Sequence, residues 1–119
     1  MKRISATAAI FIFLINGCSD LGSSSETVNP DWVKSLITQF ENSPAGNPPQ
    51  SIWKYDYKGM TVYYVPAQCC DMFSILYDDG GRILCFPDGG FSGRGDGKCP
   101  DFFQERKNEI LIWRDTRKG

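Results

Sequence analysis

Between residues 30 and 43 the apolar positions Trp32, Val33, Leu36, Ile37 and Phe40 recur at spacings of one, three and four, which places them in one stripe along a helix. Asn29 stands where a capping side chain is expected. Pro30 suits the first helical position, because its missing N–H has no intrahelical partner there. Asp31 falls where the helix dipole favours an acid, and Pro44 with Gly46 ends the helix. Beyond the restricted connector at residues 45–50 the pattern becomes that of strands. Ile52, Trp53, Tyr55 and Tyr57 lead into Lys58-Gly59 as a two-residue turn, followed by Thr61 to Val65, with Pro66 closing the run. "MFSILY" and "RILCF" repeat the plan around a turn at Asp78 to Gly81. A long Gly-rich loop, "PDGGFSGRGDGKC", precedes a short helix in which Asp101 and Gln104 resemble a capping box. The last strand, "EILIWRD", is apolar at four consecutive positions, which predicts a central or doubly covered place in the sheet. The expected fold is α+β, a two-layer sandwich with one N-terminal helix on a mostly antiparallel sheet of about five strands.

The apolar run at the chain start is of another kind. Lys2 and Arg3 precede an apolar core from Ala6 to Ile15, interrupted only by Thr7. That core is shorter than the about 20 residues a spanning helix needs, and its plan is that of a secretory leader. Ile15-Asn16-Gly17-Cys18 resembles the lipobox of bacterial lipoproteins, with an apolar residue three before the cysteine and a small residue directly before it. The resemblance implies cleavage after residue 17, a lipid thioether on Cys18, and acylation of the new N-terminus. Each buried CH₂ adds about 0.8 kcal/mol of membrane affinity, so several acyl chains anchor firmly. Ser19, not Asp, follows Cys18. In the lipoproteins this chain resembles, that points to the outer membrane of a two-membrane envelope. The expected organisation is a leader at 1–17, a lipidated Cys18 with a Ser-rich tether at 18–29, and one small domain at 30–119.

Loss of Lys2 and Arg3 with the leader moves the formal charge from −1 to −3, with 11 basic against 14 acidic residues. No basic block remains, which excludes nucleic acid as an expected partner. The chain contains no histidine, so a Ser-His or Cys-His mechanism is unavailable, and no catalytic residue is assigned. After Cys18, four cysteines remain: Cys69, Cys70, Cys85 and Cys99. An even count in an exported chain predicts two disulfides. In a meander all four would gather at one end of the sheet. Neighbouring side chains diverge, so Cys69 and Cys70 are each expected to pair with Cys85 or Cys99, in either order.

Asn47-Pro48-Pro49, Val62-Tyr63-Tyr64-x-Pro66, Cys69-Cys70-Asp71, Leu76-Tyr77-Asp78, Cys85-x-Pro87-Asp88-Gly89-Gly90 and Gly95-Asp96-Gly97-x-Cys99-Pro100-Asp101-Phe102 together resemble a family of small bacterial lipoproteins that carry a domain of unknown function. They span roughly residues 47–115. The resemblance implies a shared domain and lipidation, and brings no mechanism with it.

Several chemistries compete for the Gly-rich stretch. Adjacent cysteines lack the two-residue spacing of disulfide oxidoreductases, and no nearby base lowers a thiol pKa, so structural bridges are preferred to redox catalysis. Adjacent thiolates also chelate one zinc ion poorly. Asp88, Asp96 and Asp101 with loop carbonyls offer hard oxygen ligands for calcium, although Asp-Gly is equally ordinary turn chemistry. Arg94-Gly95-Asp96 spells the tripeptide integrins recognise, a match short enough to be accidental. The expectation is a non-enzymatic, lipid-anchored envelope module. Its protein or glycan ligand would meet a loop edge at Phe86, Phe91, Arg94, Asp96 and Asp101; Tyr55, Tyr57, Tyr63 and Tyr64 are either further aromatic contacts or half-buried sheet residues. The alternative is a thiol-redox or calcium-dependent envelope protein.

Overall fold

A computed structural model describes residues 28–119; the leader, Cys18 and the tether up to residue 27 lie outside the described residues. No helix among the described residues is long and apolar enough to cross a membrane. Helix α1 spans Asp31–Glu41. Pro30 stands at its N-cap, one place later than expected. No side chain caps it, and the amides of Val33 and Lys34 both donate to the Pro30 carbonyl, at 3.0 and 3.2 Å. The last turn carries no basic residue. Arg117, from the C-terminal tail, donates instead to the carbonyls of Phe40, Glu41 and Ser43 at 2.9–3.0 Å, while Asp115 holds the guanidinium in place at 2.8 and 3.0 Å. A cation at this end complements the helix dipole and satisfies carbonyls the helix leaves free.

Five strands follow: β1 (Ser51–Tyr57), β2 (Met60–Val65), β3 (Ile75–Asp78), β4 (Ile83–Cys85) and β5 (Lys107–Arg114). They form one antiparallel sheet in the order β4-β3-β2-β1-β5. Lys58 and Gly59 make the β1–β2 turn with φ of 50° and 78°, the doubly positive geometry that matches strand twist. In the β3–β4 turn Asp78 accepts from the amides of Gly80 and Arg82, both at 2.9 Å. Trp32 fastens α1 over that turn by donating from Nε1 to the Asp79 carbonyl at 2.8 Å.

The sheet is covered on both faces, where one covered face was expected. On one side Val33, Ile52, Tyr63 and Val65 form a core with Trp32, Leu36, Phe40 and Trp113, under α1. On the other, Tyr55, Tyr57, Val62, Tyr64, Leu76, Cys85, Cys99 and Phe102 form a second core. Helix α2 (Phe102–Glu105) lids it. Phe102 is fully buried, with the rings of Tyr55, Tyr57 and Tyr64 at centroid distances of 5.4–5.5 Å. Of the two readings of the four tyrosines, contact surface or sheet interior, the structure shows the second: all four are buried.

Strand β5 corrects another expectation. It is an edge strand, and Ile110 and Leu111 are exposed. Its pairing with β1 slips twice, between Ile52/Trp53 and between Lys54/Asp56, and β5 supplies the extra residue each time. The first bulge breaks the alternation, so that Ile112 and Trp113 both join the core under α1. At the second, Asn108 takes φ of 57° and its side chain donates to Asp56 at 2.6 Å.

Candidate functional site

At the end of the sheet where β2 leaves and β3 enters, an open cleft of about 290 Å³ is lined by Tyr64, Pro66, Cys69, Cys70, Ser74 and Asp88, among others. Tyr64 is placed by β2, and the buried Ser74 stands directly ahead of β3. Asp88 is carried by the Gly-rich segment, which docks on the β2–β3 link. Ser74 N donates to the Asp88 carbonyl and Gly90 N to the Met72 carbonyl, both at 3.1 Å. Gly89 makes that docking possible. Its φ is 88°, and a Cβ there would collide with the Met72 carbonyl.

The polar groups of the cleft form a directional chain. The Ala67 amide donates to Ser74 Oγ at 2.9 Å. Tyr64 Oη lies 3.2 Å from Ser74 Oγ and 3.0 Å from Asp88 Oδ2. One phenolic proton cannot serve both, and a carboxylate can only accept, so Tyr64 donates to Asp88 and Ser74 donates to Tyr64. Burial pushes the Tyr64 hydroxyl up to about 12, with the Asp88 carboxylate adding to the rise and Ser74 opposing it. Tyr64 therefore remains a donor at neutral pH. The other carboxylate oxygen, Asp88 Oδ1, is buried and receives no hydrogen bond from the described residues.

The disulfides are Cys69–Cys70 and Cys85–Cys99. This corrects the expectation that each member of the adjacent pair reaches a distant partner. Neighbouring side chains diverge on regular backbone, but Cys70 has φ of 64°, and that left-handed turn brings the two sulfurs together. Nor do the four cysteines share one edge. Cys69 and Cys70 are exposed at the cleft rim, whereas Cys85 and Cys99 are buried beside Leu76 and Phe102.

The expected loop residues divide into three settings. Phe86 is half-buried against the Phe73 ring at 5.2 Å, and its carbonyl accepts from Asp96 N at 2.9 Å. Phe91 is 97% exposed, and Arg94 is exposed beside Gly89. Asp101 lies elsewhere, at the β1–β2 turn. It accepts from the Tyr57 hydroxyl at 2.6 Å and pairs with Lys58 at 2.6 Å, so its carboxylate does not cap α2 as the sequence pattern suggests. The Lys58 and Tyr57 donors hold the Asp101 carboxyl below the usual carboxylate range. The three carboxylates expected to offer calcium ligands are engaged separately. Asp88 is taken by Tyr64, Asp96 by the Lys98 amide at 3.0 Å, and Asp101 by Tyr57 and Lys58. No group of three His, Cys, Asp or Glu side chains suited to a metal comes together among the described residues.

Sequence reasoning missed Ser74, Met72 and Phe73. A lone serine between Phe73 and Ile75 in a strand-like run was the available signal, since a buried hydroxyl needs a partner. Met72 and Phe73 are 55% and 44% exposed. Both line a second, more apolar hollow of about 150 Å³ with Leu36, Phe40 and Tyr77, and Met72 lines the cleft as well.

Residues 38–115 match the model of a domain of unknown function, DUF6970, and the chain belongs to that family. The match runs from the last turn of α1 to Asp115 and takes in the whole sheet and both disulfides. No curated protein and no solved structure matches the chain.

Proposed function

Starting from that family membership, we propose that this protein is a lipid-anchored, non-enzymatic binding module of the bacterial cell envelope, held at the outer membrane through Cys18 and taking a glycan at the cleft that contains Asp88. The observation that carries the reading is the half-satisfied carboxylate. Asp88 lines the cleft with one oxygen served by Tyr64 and the other buried without a donor among the described residues. A buried acceptor lacking its hydrogen bond costs about 1–3 kcal/mol, which a ligand presenting an O–H to this group recovers. Sugar hydroxyls supply such donors, and Pro66 and Met72 in the cleft lining offer apolar surface for pyranose C–H groups. The lipobox-like Ile15-Asn16-Gly17-Cys18 and the tether after it supply the anchoring part of the reading.

The test is a thermal-shift and calorimetric panel of envelope glycan fragments against the purified protein. Binding is expected to be lost in Asp88→Asn and weakened in Tyr64→Phe. Binding that survives Asp88→Asn unchanged, or none across the panel, overturns the assignment of the cleft. Labelling with a radioactive fatty acid in a bacterial host, lost in Cys18→Ala, tests the anchor separately.

A further inference from the structure

We propose that the Cys69–Cys70 disulfide is a thiol–disulfide exchange site, reduced reversibly by a dithiol protein or small dithiol, and that its reduction releases the Gly-rich segment from the β2–β3 link. The reduction stands on the protein alone. Its consequence for ligand binding rests on the cleft reading above.

Three observations support it. First, a disulfide stabilises a fold mainly by closing a loop in the unfolded chain, and a bridge between adjacent residues closes no such loop. The bond therefore has little scaffold role and can open without unfolding the domain. Second, both residues are exposed at the mouth of the cleft, open to an attacking thiolate, while Cys85 and Cys99 are only 3% and 5% exposed. Third, the bond holds a conformation that matters next door. Cys70 sits at φ of 64°, a region a residue with a side chain leaves when nothing retains it. Two residues on, the Met72 amide donates to Cys69 O and the Met72 carbonyl accepts from Gly90, both at 3.1 Å, and the Phe73–Gly89 bridge follows. A change at Cys70 is thus carried directly into the segment bearing Asp88.

The exchange balances as two displacements. A thiolate of the dithiol attacks one sulfur of the pair, forming a mixed disulfide and expelling the other cysteine as thiolate, which takes up a proton. The second thiol of the reductant then attacks the mixed disulfide through its own sulfur, and the remaining cysteine leaves. Two electrons and two protons pass to Cys69 and Cys70, and the reductant ends as a disulfide.

The experiment treats the native full chain with graded dithiothreitol, traps thiols by alkylation, and locates them by peptide mass. In parallel, amide exchange is followed by NMR. Cys69 and Cys70 are expected to become alkylated at a dithiol concentration at least about tenfold below that needed for Cys85 and Cys99, with the far-ultraviolet dichroism unchanged. The Gly90 and Met72 amides are expected to exchange at least about tenfold faster after that step, and the Cys69→Ser/Cys70→Ser variant should show the same acceleration without reductant. Both bridges opening together overturns the exchange site. Selective opening with unchanged exchange at Gly90 overturns the release of the segment. Neither readout uses a glycan, so failure of the cleft assignment leaves both intact.

Discussion

The two disulfides use the same bond for different ends. Cys85–Cys99 joins the end of β4 to the approach of α2 across 14 residues, with Cα atoms 6.2 Å apart inside a core of aromatic rings. Cys69–Cys70 crosses one peptide bond, with Cα atoms 3.7 Å apart, at an exposed rim. The first restricts the unfolded chain and is sealed from reagents. The second restricts only a local turn and is open to them. What a bridge contributes follows from the loop it closes and the access it leaves, and cysteine count reports neither.

That contrast can be broken by measurement. The largest effect is expected from Cys85→Ser with Cys99→Ser. Opening a loop of about 15 residues costs about 3 kcal/mol, so Tm should fall by more than about 10 °C. A fall no larger than that of the adjacent pair would erase the distinction. Next comes Tyr64→Phe, which removes the Asp88 carboxylate's donor among the described residues and is expected to cost about 1–3 kcal/mol in urea unfolding. Combining it with Cys69→Ser/Cys70→Ser in a double-mutant cycle locates the hydrogen-bond chain. Non-additive losses would tie the chain to the exposed turn, and additive ones to the buried core.

Acid sensitivity should be smaller and independent of the Cys69–Cys70 bridge. Asp101 and Asp115 have carboxyls lowered in the folded protein, by Lys58 and Tyr57 and by Arg117 respectively. Their contribution is complete above the unfolded carboxylate value of about 3.9 and is lost as pH falls from there through the lowered native values. The urea midpoint should decline from about pH 4 downward, with the decline shallower in Asp101→Asn and unaltered by removal of Cys69–Cys70. The smallest effect is expected from Cys69→Ser with Cys70→Ser. It should shift stability by less than about 1 kcal/mol in the same unfolding assay, because no chain loop is released.

The amphipathic stripe from Trp32 to Phe40 and the two hairpins were legible because their periods are strong and their turns carry the residues the geometry needs. The place of β5 was not. Four consecutive apolar residues imitate a central strand, and only the bulge at Ile112, a tertiary feature, divides them between the core and the open side. The candidate site was legible in part. The Gly-rich segment was correctly singled out as a loop; Phe91, Arg94 and Asp96 lie on it, and Phe86 stands directly before it. Its polar centre, however, joins Tyr64, Ser74 and Asp88 across 24 residues. Asp101 was drawn away by Lys58 and Tyr57, partners 43 and 44 positions distant that no local pattern reveals. The disulfide pairing turned on a single left-handed residue, Cys70, whose conformation propensity does not predict.

The doubly bulged β5 has a consequence for crowded surfaces. A flat free edge invites a strand from a neighbouring molecule, and an edge with Ile110 and Leu111 exposed would be a sticky template for chains that run together into fibres. Here the row of free amides and carbonyls is twice thrown out of step, and Lys107, Glu109 and Arg114 place charge near both ends of the strand. An incoming strand would find no continuous ladder to join and would have to strip water from charges to begin one. Many copies can therefore stand side by side without zipping together along this edge.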